Sequence, residues 1–332
     1  MTETVTAPRG EMAAPRAVPS GAPAPEAAAA PAQPAWPATI AVVGAGRAGG
    51  ALAIALTSAG RSVVAVASRD AGRAAVLAAR VGARPAPTAL AAVSAADLTL
   101  LTVPDAAIAG VAASVVESGP DLRGRAVVHC SASLGIGALA ALRPTGASLG
   151  CLHPFQALAG AESAPLLRGA LMAIEADPAL EAPLHCLAED LGGRPIELAP
   201  GTRALYHAAA VLAGNAPLAL LSVASELLVV AGLEPDIAEQ GLLALLEGAL
   251  ANARRVGPRA ALTGPVVRGD TATVARHLEA LHEHPDADAL YRALTREIVR
   301  LAGPEGREEI SEMLNGNRGG APPPTTEDST CQ

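Results

Sequence analysis

Residues 39–49 read TIAVVGAGRAG, and this stretch decides the fold. Thr39–Val43 is a short run of small and β-branched residues, the composition of a buried strand. Gly44, Gly46 and Gly49 follow in the spacing GxGxxG, with Ala45, Arg47 and Ala48 between them. Gly49–Ala59 is then a helix of small residues that ends at Gly60. A lone GxGxxG is a weak signal, but between a strand and a helix it describes a dinucleotide-binding turn. Gly44 makes the tight turn, Gly46 lets a pyrophosphate approach the backbone, and Gly49 allows helix to pack closely on strand. The helix N-terminus offers free N–H groups and partial positive charge to the phosphates. The competing reading is a glycine-rich turn with no ligand.

Outward from this turn, apolar runs recur at regular spacing. Ser62–Ser68, Asp97–Val103, Arg125–Cys130, Leu149–Leu152, Ala170–Glu175 and Pro195–Leu198 read as strands. Helices fill the intervals, one through Arg80 and another over Leu180–Leu191. Alternating strands and helices predict an α/β Rossmann domain with a doubly wound, mainly parallel sheet. A second near-match, GIGALA at 135–140, comes too late in the sheet for the first crossover and reads as a loop and helix start. After Pro200 strands stop, and Arg203–Ala231, Pro235–Arg255, Thr271–Glu283 and Ala287–Ala302 read as helices. The expected organisation is an Ala/Pro-rich disordered tail over 1–37, the α/β domain over 38–200, an all-α C-terminal domain over 201–314 and a tail over 315–332. The first boundary falls near 160 instead if the last two strands belong to the second module.

Composition narrows the function classes. The net charge of −8 argues against a nucleic-acid partner, which needs a basic face. Cys130, Cys151, Cys186 and Cys331 show no metal spacing and read as reduced thiols of a cytoplasmic protein. His277, His282 and His284 pair with none of them at zinc spacing, so no metal is expected. No apolar h-region follows Arg9 or Arg16, which argues against a targeting peptide. Ala204–Leu233 exceeds the membrane-spanning length of about 20 residues. Pro217 interrupts it and no basic residue flanks its C-terminal end, so a helix buried in a domain or homodimer core explains it better.

The end of the second strand selects the cofactor. NAD enzymes place an acid there for the ribose 2′-OH, whereas this chain has Ser68 and Arg69, with Arg73 a turn later. Arginine pairs with a 2′-phosphate through two parallel hydrogen bonds, so NADP(H) is expected; a solvated arginine is the alternative. Val103 and Pro104 follow the third apolar strand, where the chain turns past the ribose. Ser131 and Ser133 follow the next, and their hydroxyls serve either a ligand or a cap.

HCSAS, LHPFQAL (Leu152–Leu158), ALYHAAAVLAGN (Ala204–Asn215) and LTGPVVRGDTATVARHL (Leu262–Leu278), behind a Rossmann-like domain, resemble the oxidoreductases that carry C-terminal domain of unknown function 2520. The resemblance runs over nearly all of residues 38–302. It implies the wider 6-phosphogluconate dehydrogenase C-terminal-like superfamily, with ketopantoate reductase, pyrroline-5-carboxylate reductase and prephenate dehydrogenase. Their helical second domain closes the site and often dimerises. Some members use a lysine as general acid at the start of that domain. This sequence contains no lysine, so that mechanism does not transfer.

Histidine is the natural substitute, because its pKa lies near working pH. His207, with Asn215 two turns later, and His153, in the loop ending its strand, are the catalytic candidates. For His207 the competing role is a satisfied core histidine. Gln156 and Arg268 are candidates for holding a substrate carboxylate, against a turn locked by Pro154 and an N-cap at Asp270. These residues predict an NADP-dependent oxidoreductase reducing a small carboxylate-bearing keto acid or imine, and the resemblance implies a ketopantoate-like one by preference. The alternative is a dinucleotide-binding regulatory or scaffold protein without catalysis.

Overall fold

The computed structural model describes residues 38–315; the expected tail at 1–37 and all of the one at 315–332 but Asn315, which ends a helix, lie outside the described residues. The chain divides into two compact units. The first holds residues 38–131, 135–154 and 158–197, and the second holds 132–134, 155–157 and 198–315.

Eight strands form the sheet of the first unit: β1 (Thr39–Val43), β2 (Ser62–Ala67), β3 (Arg84–Ala86), β4 (Leu98–Leu101), β5 (Ala126–His129), β6 (Ser148–Pro154), β7 (Leu171–Ala176) and β8 (Arg194–Glu197). Their order is β3-β2-β1-β4-β5-β6-β7-β8. All neighbours are parallel except β6 and β7. Between the strands run α1 (Arg47–Ser58), α2 (Ala71–Val81), α3 (Ala89–Ala95), α4 (Asp105–Val116) and α5 (Pro178–Asp190). The winding moves outward from β1 to β3, then returns to place β4 on the other side of β1. That reversal opens a crevice at the carboxyl ends of β1 and β4, the place where such sheets bind ligands. β4 and β5 are buried along their whole length, which is why their sequences are mostly apolar, with Thr99 and His129 as buried polar members. Ile40, Leu52, Leu56, Leu98 and Leu100 are fully buried at the centre.

The sheet departs from the sequence reading in two places. β3 was not anticipated, because three residues containing Pro85 carry little strand signal; an edge position tolerates a proline that a central strand would not. β8, at the other edge, carries Pro195 for the same reason. β6 runs on through His153 and Pro154, pairing His153 with Ala173 on antiparallel β7. His153 is therefore a strand residue, not a loop residue. The near-match at 135–140 opens a 3-10 stretch, Ile136–Thr145, containing Pro144.

The second unit is helical: α6 (Arg203–Gly214), α7 (Ala216–Val230), α8 (Pro235–Val256), α9 (Pro258–Ala261), α10 (Pro265–Arg268), α11 (Thr271–Ala280), α12 (Pro285–Ala302) and α13 (Glu308–Asn315). Its small core gathers Val266, Val274, Val299, Ile310 and Leu314. The single helix expected over Arg203–Ala231 is two helices meeting at Asn215. Pro217 forces the break, since its ring clashes with the preceding turn and it has no N–H to give. It stands in the first turn of α7, where no donor is needed. Neither α6 nor α7 has a single buried residue.

Candidate functional site

The glycine turn shows why each glycine is there. Gly44 has φ +117°, and a Cβ on it would stand 2.8 Å from the backbone of Thr102. Gly44 N–H donates to the Ala67 carbonyl of β2 at 2.8 Å. Its own carbonyl accepts from the Thr102 hydroxyl at 2.7 Å. The turn is thereby stitched to the ends of both flanking strands. Gly49 is buried, and a Cβ there would overlap the Gly44 carbonyl oxygen and lie 2.5 Å from Thr102 Oγ1. Around Gly46, by contrast, a Cβ would meet nothing within 4 Å. Gly46 is the N-cap of α1 and has no side chain to satisfy the first-turn N–H groups. Open space in front of an uncapped helix N-terminus fits a pyrophosphate.

Gly44, Ala45 and Gly46 line a cleft of about 440 Å³ together with Ser68, Arg69, Val103 and Pro104. Seven of the expected cofactor residues are thus gathered by the first unit alone. Of the other four, Arg47 is exposed, Ala48 half-buried and Gly49 internal. Ser131 is buried at the end of β5, its N–H donating to His129 Nδ1 at 3.2 Å and its carbonyl accepting from the Cys151 thiol at 3.4 Å. His129 Nε2 lies 3.0 Å from the Gly135 carbonyl. A ring that accepts at Nδ1 and donates at Nε2 is a neutral imidazole tying down the chain beyond β5. Burial, followed by the neighbouring Cys151, pushes the Cys130 thiol upward, so it stays protonated and is no nucleophile.

Sequence reasoning overlooked part of the cleft wall. Asp70, Thr88 and Ser114 also line it. Asp70 is an acid close to the 2′ end, but it is engaged: Oδ1 accepts the Arg73 N–H at 3.0 Å as cap of α2, and Oδ2 lies 3.3 Å from Arg73 Nε. It orients Arg73 beside Arg69 on the cleft rim. Thr88 caps α3 by accepting the Ala91 N–H at 3.1 Å. A threonine before the apolar run ALAAV was the available signal, obscured because β3 was not recognised.

The catalytic candidates are less tightly arranged. His207 and Asn215 are both exposed. Eight residues at about 100° each put their side chains about 80° apart around the helix, so they share a side and not a line. Next to His207, Tyr206 packs its ring on Phe155, centroids 4.8 Å apart. His153 is half-buried in β6. Gln156 is exposed, and its Oε1 accepts the Ala157 N–H at 2.9 Å. Arg268 is exposed at the end of α10. Asp270 caps α11 as expected, accepting the N–H and the hydroxyl of Thr273 at 3.0 and 2.8 Å. The Thr273 bonds hold its carboxyl below the usual range. His277 bonds to the Tyr291 hydroxyl at 2.9 Å.

Residues 39–133 match the family described as NADP oxidoreductase coenzyme F420-dependent, and residues 170–298 match Domain of unknown function (DUF2520). The two matches stand in series, the first on the strand-turn-helix part of the sheet and the second over its last strands and most of the helical unit. Among solved structures it is similar to a Bacteroides fragilis protein assigned as an NADP oxidoreductase, with 27% identity, TM-score 0.64 and coverage of 79% of this chain and 97% of that one. Pyrroline-5-carboxylate reductase from Coxiella burnetii shares the fold at 17% identity and TM-score 0.52, covering 81% and 97% of the two chains. A reductive aminase from Aspergillus terreus, solved with NADPH and ethyl levulinate, does so at 19% and 0.55, covering 83% and 99%. No curated protein sequence matches the chain. The family and its neighbours are NAD(P)-dependent oxidoreductases, the enzyme class that the strand-turn-helix motif indicated.

Proposed function

We propose that this protein is an NADPH-dependent reductase of a small imine or keto acid carrying a carboxylate. The observation that carries the reading is the cleft with open space at Gly46 and two guanidinium groups, Arg69 just after β2 and Arg73 in the first turn of α2. Gly44–Gly46 and the first-turn amides of Arg47, Ala48 and Gly49 hold the pyrophosphate. Ser68, Arg69 and Arg73 hold the 2′-phosphate, with Val103 and Pro104 along the ribose and Ser131 beyond them. When bound, NADPH supplies the hydride from nicotinamide C4. The acceptor's heteroatom then needs a proton, and His207 provides it. On the second unit Asn215 is the candidate for orienting the acceptor and Gln156 and Arg268 for receiving the carboxylate; His153 is the candidate that the first unit offers.

An imine is favoured over a ketopantoate-like acid. The Coxiella neighbour is named for pyrroline-5-carboxylate, a cyclic imine with a carboxylate, and the Aspergillus neighbour is named as a reductive aminase. The test is fluorescence titration of NADPH against NADH, followed by NADPH oxidation with cyclic imine carboxylates and 2-keto acids. Tighter NADPH binding, reversed by Arg69→Asp, supports the assignment. Equal binding of NADH, or an unchanged preference in the variant, overturns it. Oxidation with neither substrate class returns the chain to a non-catalytic dinucleotide binder.

The functional unit is a homodimer through the helical unit. Leu205, Leu212, Leu218, Val230 and Leu245 are 62–74% exposed on α6, α7 and α8. A cleft of about 710 Å³ between α7 and α8 is lined mainly by leucine and valine. So broad an apolar face needs a cover, and a second copy supplies a matching one through two-fold symmetry. Arg203–Val230 is also long and apolar enough to cross a membrane, but one such stretch, broken at Asn215, is weak grounds for that location.

A further inference from the structure

Across the sheet from the cleft, Glu181, His185 and Glu197 each direct one ligand atom into a common space, all within 4.8 Å of one another. We propose that these three side chains form a divalent transition-metal site, of the Zn²⁺ type, that joins α5 to edge strand β8. Glu181 and His185 are four residues apart on α5 and therefore share one face. Glu197 ends β8, the strand to which α5 leads.

A second observation sits on the histidine. His185 Nε2 has no access to solvent and no hydrogen-bond partner. Glu197 Oε1 is 3.9 Å from it, too far for a hydrogen bond. A buried imidazole nitrogen normally has a partner, and a metal ion is one that this geometry admits. Tetrahedral bonds of about 2.1 Å separate ligand atoms by about 3.4 Å, so the group must close by roughly 1 Å. Glu181 and Glu197 are exposed and their side chains are free to make that adjustment. One imidazole with two carboxylates suits Zn²⁺ better than Ca²⁺ or Mg²⁺, which take oxygen ligands. Water completes the coordination.

The site is structural rather than catalytic. Five strand spacings of about 4.8 Å separate β8 from β1, placing the ion at least about 24 Å from the glycine turn. Its effect is to pin the last strand of the first unit, an edge strand of four residues.

The experiment titrates Zn²⁺ into the full chain after chelator treatment, by calorimetry, with Co²⁺ as spectroscopic probe. One equivalent is expected, weakened at least about tenfold in both His185→Gln and Glu197→Gln. It persists in Cys186→Ser, and Co²⁺ gives a nitrogen/oxygen spectrum without thiolate charge transfer. Absence of saturable binding overturns the proposal. So does binding indifferent to both variants, or a thiolate band. Glu197 is exposed, so its variant folds and decides the matter if His185→Gln does not. NADPH affinity is the same in all three variants, which separates this site from the cofactor cleft.

Discussion

Substituting Gly49 and Gly46 by alanine, one at a time, separates the packing role of one glycine from the binding role of the other. At Gly49 the new methyl would overlap the Gly44 carbonyl and crowd Thr102 Oγ1 at 2.5 Å. The first obstacle is backbone, so no rotamer change relieves it. Helix α1 must move by about 1 Å against a face that buries Ala51, Leu52, Ala53 and Leu56, in a core that packs like a crystal. Overpacking of this kind costs about 1–3 kcal/mol. The higher helix propensity of alanine returns up to about 1 kcal/mol. A net loss of about 1 kcal/mol lowers the Tm of the first unit by about 2–4 °C. At Gly46 there is nothing within 4 Å to strike, so stability stays within about 0.5 kcal/mol. The methyl instead occupies the approach of the pyrophosphate and weakens NADPH at least about tenfold, or about 1.4 kcal/mol. Calorimetric melting and cofactor titration measure both. Wild-type melting of Gly49→Ala, or wild-type NADPH affinity of Gly46→Ala, refutes the division of labour.

His207→Gln keeps NADPH affinity, because the proposed cofactor contacts lie on the first unit, and loses about 10² or more in kcat; near-normal turnover transfers the proton to His153 or solvent. Light scattering at micromolar concentration gives twice the chain mass, and Leu212→Glu with Leu218→Glu shifts it toward one; a wild-type monomer removes the dimer. Asp177 is partly buried, which alone would raise its carboxyl. Bonds from Arg143 Nη1 at 2.7 Å and the Leu149 N–H at 2.7 Å outweigh that and hold it below its usual value. Its contribution is therefore present above the unfolded carboxylate range of about 3.9 and lost as pH falls through the lowered native value. Asp177→Asn costs about 1–2 kcal/mol at pH 7, and the difference from wild type disappears in acid; a pH-independent difference contradicts the linkage.

The fold was legible where local chemistry and burial agree. β1, β4 and β5 are mainly apolar because both faces are covered, and GxGxxG opens on Gly44, whose φ of +117° favours glycine. β3 was illegible, since it pairs at an edge where three residues and a proline suffice. The antiparallel run of β6 against β7 was illegible too, because direction is set by where the chain returns and leaves no local pattern. Arg69 could be read from its place after β2. Asp70 and Thr88 could not, because their membership of the cleft depends on the neighbouring strand and helix caps.

By itself, then, the sequence determined an α/β domain with a dinucleotide turn, a helical second part, and chemistry without lysine. Each follows from short-range facts: glycine spacing, hydrophobic period and the residue types present. Tertiary structure alone named the atoms that Gly49 must clear, the Gly44 carbonyl oxygen and Thr102 Oγ1. It alone showed that Asp70 is committed to Arg73, and that the apolar run breaks at Asn215 with no residue buried. It alone brought Glu197 to Glu181 and His185. Those are relations between segments distant in the chain or between a helix and its surroundings, and such relations exist only once packing has fixed them.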